Sequence, residues 1–320
     1  GVMTVNRPLT VPSKQKLYVE LTPGADVLKA DINLKGTLVF TIAADLQAGT
    51  YTLIDGCGSL DTKKLDVRGL TGKSFAFACA DNKLTITIHE QREATTGVAW
   101  TGSKSATWDY QTDNFSLGGE ATNFVAGDEV EIGDAAVKTT INLPVLYPTG
   151  GVTFTGSKKF TVNGDGGFSG EGGLTVDMEG SVTLNAVHSD YTGKTRLLNG
   201  TVTVKEIADE GIESSLGAGK QIEMARAKLV INNTNSGTNR SVQLTDTATI
   251  SIASGSASLK GLVSGNGTLL KAGNGQLNIT YAGTNSWKET ILQAGTLAMC
   301  AWNTTFGKAT SDIHVTGNAT

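Results

Sequence analysis

From about residue 97 onward the chain runs in short bursts of three or four residues. Each burst alternates an apolar residue with threonine, serine or lysine and stops at a glycine, asparagine or aspartate. Val152-Thr153-Phe154-Thr155, Lys159-Phe160-Thr161-Val162, Leu174-Thr175-Val176, Ser181-Val182-Thr183-Leu184 and Thr201-Val202-Thr203-Val204 are the clearest cases. A period of two residues is the signature of a half-buried strand. Strands this short are poor material for a sandwich, but they suit one face of a solenoid coil. No segment shows a helical period for longer than a couple of turns, and 208–216 and 225–229 read at most as loop helices. Composition agrees, with 44 threonines, 40 glycines and only 5 prolines. β-Branched residues fit pleated surfaces and glycine punctuates turns. Glycine has no every-third-residue period, which excludes collagen, and the chain is too apolar to be disordered.

Before residue 90 the alternation is present in longer runs. Leu17-Tyr18-Val19-Glu20-Leu21, Gly36 to Ile42 and Gly49 to Ile54 read as strands. Ser74 to Ala78 and Leu84 to Ile88 form an expected hairpin around Asp81-Asn82-Lys83. A charged stretch, His89 to Ala99, then separates two regions: an N-terminal β region at 1–93 and a parallel β-helix region at 94–320. Within the second region Ser169-Gly170-Glu171-Gly172-Gly173-Leu174 aligns with Ser264-Gly265-Asn266-Gly267-Thr268-Leu269, an offset of 95 residues (264 − 169). Gly180 and Gly275, and Gly200 and Gly295, keep that offset, which suggests a repeat unit of several coils.

The run Gly265 to Ile279, closed by Glu289-Thr290-Ile291-Leu292-Gln293-Ala294-Gly295-Thr296-Leu297, resembles the autotransporter-associated β-strand repeat of bacterial surface proteins. Trp100-Thr101-Gly102, Thr107-Trp108-Asp109, Asn114-Phe115 and Phe124 to Val130 resemble the opening segment of such repeats, here an aromatic cap at 98–130. Gly49 to Gly56 resembles their closing segment. The resemblance implies an all-β, right-handed parallel β-helix on an exported bacterial protein, at the cell surface or outside the cell. It implies a stalk, spacer or adhesion role, with no catalytic set and no cofactor. The closing-type segment precedes the opening-type one, so the chain reads as a fragment of a tandem array or a permuted module. Its end, Asp312 to Thr320, would run naturally into Gly1 to Arg7, and head-to-tail stacking on neighbouring β-helix modules is expected.

The net charge of −4 and the absence of a basic stripe exclude a nucleic-acid binder. No apolar stretch approaches the length of a membrane-spanning helix. Cys57, Cys79 and Cys300 have no metal-ligand spacing and read as buried free thiols, with Cys57 and Cys79 able to pair if the protein is exported. Catalysis on a polysaccharide would need facing carboxylates. The candidates are Asp128, Glu129, Glu131 and Asp134; Asp209, Glu210 and Glu213; and Glu171 with Asp177. Asp128 and Asp134 sit beside glycines, as solvated turn residues do. A lyase would instead need a base such as Arg196, Arg226 or Arg240 near a calcium cluster. His89, His188 and His314 have no zinc or triad spacing, and the glycine runs at 164–167 and 170–173 read as turns, not phosphate loops. The aromatics Trp100, Trp108, Tyr110, Phe115 and Phe124, with Trp287 and Trp302, serve either to seal the core or to stack on surface glycans. A non-catalytic structural or adhesive β-helix is the expectation, with a carbohydrate-binding module and a β-helix lyase or glycoside hydrolase as alternatives.

Overall fold

The computed structural model describes residues 2–4, 9–21, 27–29, 31–42, 46–58, 60–68, 73–90, 92–232, 235–301, 305–308 and 311–317. It is an all-β solenoid of about 13 turns with almost no helix. From residue 129 to 272 each coil lays one strand on each of two long faces, and most of the coils add a short strand on a third face. On the first face Val130 stacks on Val152, then Leu174, Thr195, Ile222, Val242 and Val263. On the second, Phe160 stacks on Val182, Val202, Leu229, Ile250, Lys271 and Leu292. All of these are buried. The alternation noted above is the cause: with side chains two residues apart on one face, Val182 and Leu184 turn inward while Ser181 and Thr183 turn out. A coil alone has nothing to bury those side chains against, so each of them stabilises the fold by about 1.5–3 kcal/mol only once a neighbour covers it.

The repeat unit is the single coil. The step along the first face is 22 residues from Val130 to Val152, 21 from Leu174 to Thr195 and 20 from Ile222 to Val242. The exception is 27, from Thr195 to Ile222, where residues 205–220 bulge out as irregular chain. Four coils from Leu174 therefore lead to Val263, 89 residues on (263 − 174). The 95-residue alignment instead matches Leu174, on the first face, with Leu269, which stacks on Ala248 in the second. Similar glycine turns recur at different corners, so the sequence likeness reports corner chemistry and not register. Gly265 shows that chemistry: its φ is +123°, and a Cβ there would meet the carbonyl oxygen of Leu244 at 1.9 Å.

The bulged coil also brings polar groups into the interior. Thr195, inward on the first face, donates its hydroxyl proton to the carbonyl of Leu216 at 3.1 Å and accepts from Tyr191 Oη at 2.9 Å. Arg240, buried, fills the remaining space and donates to Leu216 O at 2.8 Å and Thr195 Oγ1 at 2.9 Å. One coil group later Lys271 takes an inward position, and its ammonium donates to the carbonyls of Ala272, Gly273 and Ala294 at 2.8–3.0 Å. Neither the 208–216 nor the 225–229 stretch is helical.

The N-terminal residues build smaller coils of the same kind. Lys16–Leu21, Thr37–Ile42 and Leu65–Arg68 stack in parallel, as do Leu9–Val11 and Ile32–Leu34. The hairpin Lys73–Ala80 and Lys83–Glu90 forms as expected and adds antiparallel to Gly49–Asp55. Cys57 and Cys79 are joined by a disulfide, with Cα atoms 6.3 Å apart, which corrects their reading as free thiols. Apolar spacing could not reveal that pairing, because it depends on the hairpin folding back over its own coil. Cys300 is free and exposed, not buried. Among the described residues no strand of the N-terminal coils pairs with one of the long column. The two meet through side chains, with Phe75 4.7 Å from Tyr110 and both in one hydrophobic core.

Candidate functional site

The aromatic segment closes the first coil of the column. Trp100 and Trp108 stack in parallel at 5.7 Å, and Phe115, Phe124 and Phe168 meet the Trp108 ring edge-on at 4.8–5.5 Å. Trp100 Nε1 donates to Lys138 O at 2.9 Å. Trp100, Trp108, Tyr110, Phe115 and Phe124 are all buried, and so is Trp287, whose Nε1 donates to Thr290 Oγ1 at 2.8 Å. None of these rings presents an open face for a sugar to stack on. Trp302 lies outside the described residues.

A buried ion pair pins this cap. Asp128 is fully buried, not the solvated turn residue its glycine neighbour suggested. Its two oxygens accept from Arg92 Nη1 and Nη2, each at 2.8 Å, and from the backbone amides of Thr95 and Val125. A carboxylate taken out of water needs this complete set of donors, and the bidentate guanidinium supplies the strongest two. Sequence reading passed over Arg92, because 36 residues separate it from its partner.

The densest charged cluster lies at the seam between the N-terminal coils and the column. Asp190, buried on the column side, accepts through Oδ2 from Lys16 Nζ and Arg68 Nη2 of the N-terminal coils. Glu213 Oε2 lies 3.7 Å from Lys16 Nζ, and its other oxygen bonds His188 Nδ1 at 2.8 Å. Burial opposes ionisation of Glu213, yet the His188 hydrogen bond and the charges of His188 and Lys16 outweigh it and hold the carboxyl below its usual range. The same bond raises the His188 imidazole. Behind them Asp66 is fully buried on Leu65–Arg68. Burial first, and the charge of Asp190 next, push its carboxyl up to about 7. A cleft of about 1000 Å³ opens beside this cluster, with Tyr18 and Arg68 on one wall and His188, Asp190 and Glu213 on the other. Tyr18 is 56% exposed, with the Arg68 guanidinium 5.7 Å from its ring centre.

Only Glu213 and His188 of the charged residues singled out above join this cluster. Glu129, Glu131, Glu171 and Asp177 are exposed and spread along the column. Asp134 is exposed and caps the amides of Ser157 and Lys158 in the coil above. Asp209 pairs with Lys260, Arg196 with Glu223 and Arg226 with Asp246, all at the surface. His89 is exposed, and His314 sits 3.2 Å from Glu289. Among the described residues no group of three His, Cys, Asp or Glu side chains could hold a metal ion, and no helix is long and apolar enough to cross a membrane. Asp66, Asp190, Lys16 and Arg68 carry no motif, and only the docking of two coil stacks brings them together.

The fold and seam together define a β-solenoid, a repeat protein of stacked coils. No family model, no curated protein and no solved structure matches the chain.

Proposed function

We propose that this chain is a non-catalytic structural segment of an exported bacterial protein, acting as a stalk, spacer or adhesion module. The carrying observation is the unbroken ladder from Thr140–Asn142 to Ile313–Val315, eight parallel strand-to-strand steps along one face. At the strand spacing of about 4.8 Å, eight steps hold the ends about 38 Å apart. A closely packed interior, apolar apart from the hydrogen-bonded Thr195, Arg240 and Lys271, makes that distance rigid. The Cys57–Cys79 disulfide supports export, since such bonds persist in oxidising compartments. Spin labels at exposed positions on the first and last coils test the spacer role. A single narrow distance distribution is expected, and a broad one would rule out a rigid stalk.

The cleft favours one second reading, a carbohydrate-binding module, because Tyr18 offers an exposed ring beside charged hydrogen-bonding groups. Incubation with plant, host and bacterial polysaccharides separates the readings. Binding lost in Tyr18→Ala supports the module. Release of reducing ends or unsaturated sugars would overturn the non-catalytic assignment altogether.

A further inference from the structure

Lys16 and Asp190 are in contact at the seam and largely out of solvent, 16% and 6% exposed. Asp190 Oδ2 carries both Lys16 and Arg68, while its Oδ1 is buried with no hydrogen-bond partner among the described residues. Asp66 Oδ1 is in the same condition, and the two carboxyls act on each other electrostatically. Glu213 Oε2 also lies near Lys16, 3.7 Å from its nitrogen. As an ion cluster this arrangement is expensive, because buried opposite charges seldom recover their full desolvation cost. As a reaction site it is complete. It holds an amine, a carboxyl, a base beside the amine, an acid coupled electrostatically to the carboxyl and a guanidinium on one carboxyl oxygen.

We propose that Lys16 and Asp190 condense into an intramolecular isopeptide bond that fastens the N-terminal coils covalently to the column. Glu213 takes a proton from the Lys16 ammonium, and Asp66 passes its proton to Asp190 Oδ1, leaving a neutral acid. The Nζ lone pair attacks Asp190 Cγ, and charge develops on Oδ2, where Arg68 stabilises it as an oxyanion donor does. The C–Oδ1 bond then breaks and a C–N bond remains. Oδ1 leaves as water with the proton from Asp66 and the one Glu213 took up, the second nitrogen proton returns to Asp66 and the third stays on the amide nitrogen, so Glu213 and Asp66 end as they began. Nothing is oxidised or reduced, and two buried charges disappear.

Mass spectrometry of the full folded chain, then reduced and denatured, tests this. The expected mass is one water below that of the sequence, with a protease-derived branched peptide joining Lys16 to Asp190. Lys16→Ala and Asp190→Ala should keep the full mass. Asp66→Asn and Glu213→Gln retain the joining pair, and loss of either proton carrier should slow its formation on the order of 10²-fold. A wild-type chain at the unmodified mass after prolonged incubation at neutral pH overturns the proposal, and so does a water loss mapped to any other pair.

Discussion

At the scale of single residues the protein concentrates its risk in a few buried charges. Asp66 titrates near 7 when folded against 3.8 as a free side chain, so the folded state holds its proton more tightly. Its contribution is intact below about pH 4 and is lost progressively as the pH rises to about 7, at a cost of at most about 4 kcal/mol. In a Lys16→Ala background, where no cross-link can form, Asp66→Asn should therefore raise the thermal midpoint at pH 8 and leave it unchanged at pH 4. An equal shift at both values would mean that burial does not hold the proton. Arg92 carries the opposite lesson. Arg92→Ala leaves Asp128 buried without its guanidinium and should cost about 3–5 kcal/mol in denaturant unfolding, well above the effect of losing an exposed pair such as Arg226–Asp246. Trp108→Ala empties the centre of the aromatic cap, and a loss of about 3–5 kcal/mol is expected from the lost apolar burial and the cavity together.

Elements are held by corners and staples more than by their own length, since many strands have only three or four residues. Corners fail when the coil above lacks room for a side chain. Gly265→Ala combines a strained φ with a clash against the Leu244 carbonyl and should destabilise by about 3 kcal/mol. Alanine at Gly211, whose Cβ would meet nothing within 4 Å, isolates the strain from the clash and should cost less. The Cys57–Cys79 bridge staples the hairpin to its coil across 22 residues. For a loop of that length the chain-entropy estimate is about 3 kcal/mol. Cys57→Ser with Cys79→Ser should lower stability by that order and speed hydrogen exchange in 73–90, while 174–204 keeps its protection.

For the whole molecule the two ends of the column differ. Trp100, Trp108 and their neighbours seal the first coil, whereas Ile313–Val315 is the last strand of its sheet among the described residues, with Ile313 and Val315 exposed. An unpaired strand edge is a template for another strand. Association that grows with concentration in sedimentation, and is abolished by lysine at Ile313 and Val315, is the expected behaviour. A monomer at all concentrations would show that this edge does not recruit a neighbour.

Local chemistry was enough to read the architecture. Period-two alternation in 152–204 marks strands, and strands too short to stand alone demand a solenoid, because both statements depend only on neighbours in the chain. Asp81-Asn82 likewise gave away the hairpin, and both residues adopt positive φ there. Register was not legible, since glycine turns look alike at every corner, and so the 95-residue likeness crossed from one face to another. The seam was invisible for a stronger reason. Lys16, Asp66, Arg68, Asp190 and Glu213 span almost 200 residues of sequence, and nothing in their local surroundings separates them from ordinary surface charges. Burial turns a turn residue such as Asp128 into an anchor and Asp66 into a proton store, and burial is a property of what packs across a residue from elsewhere in the chain. The repeating alternation determined that the chain would stack coils. Only the tertiary structure decided which charges those coils would enclose, because the cost of a charge depends on the water that docking removes.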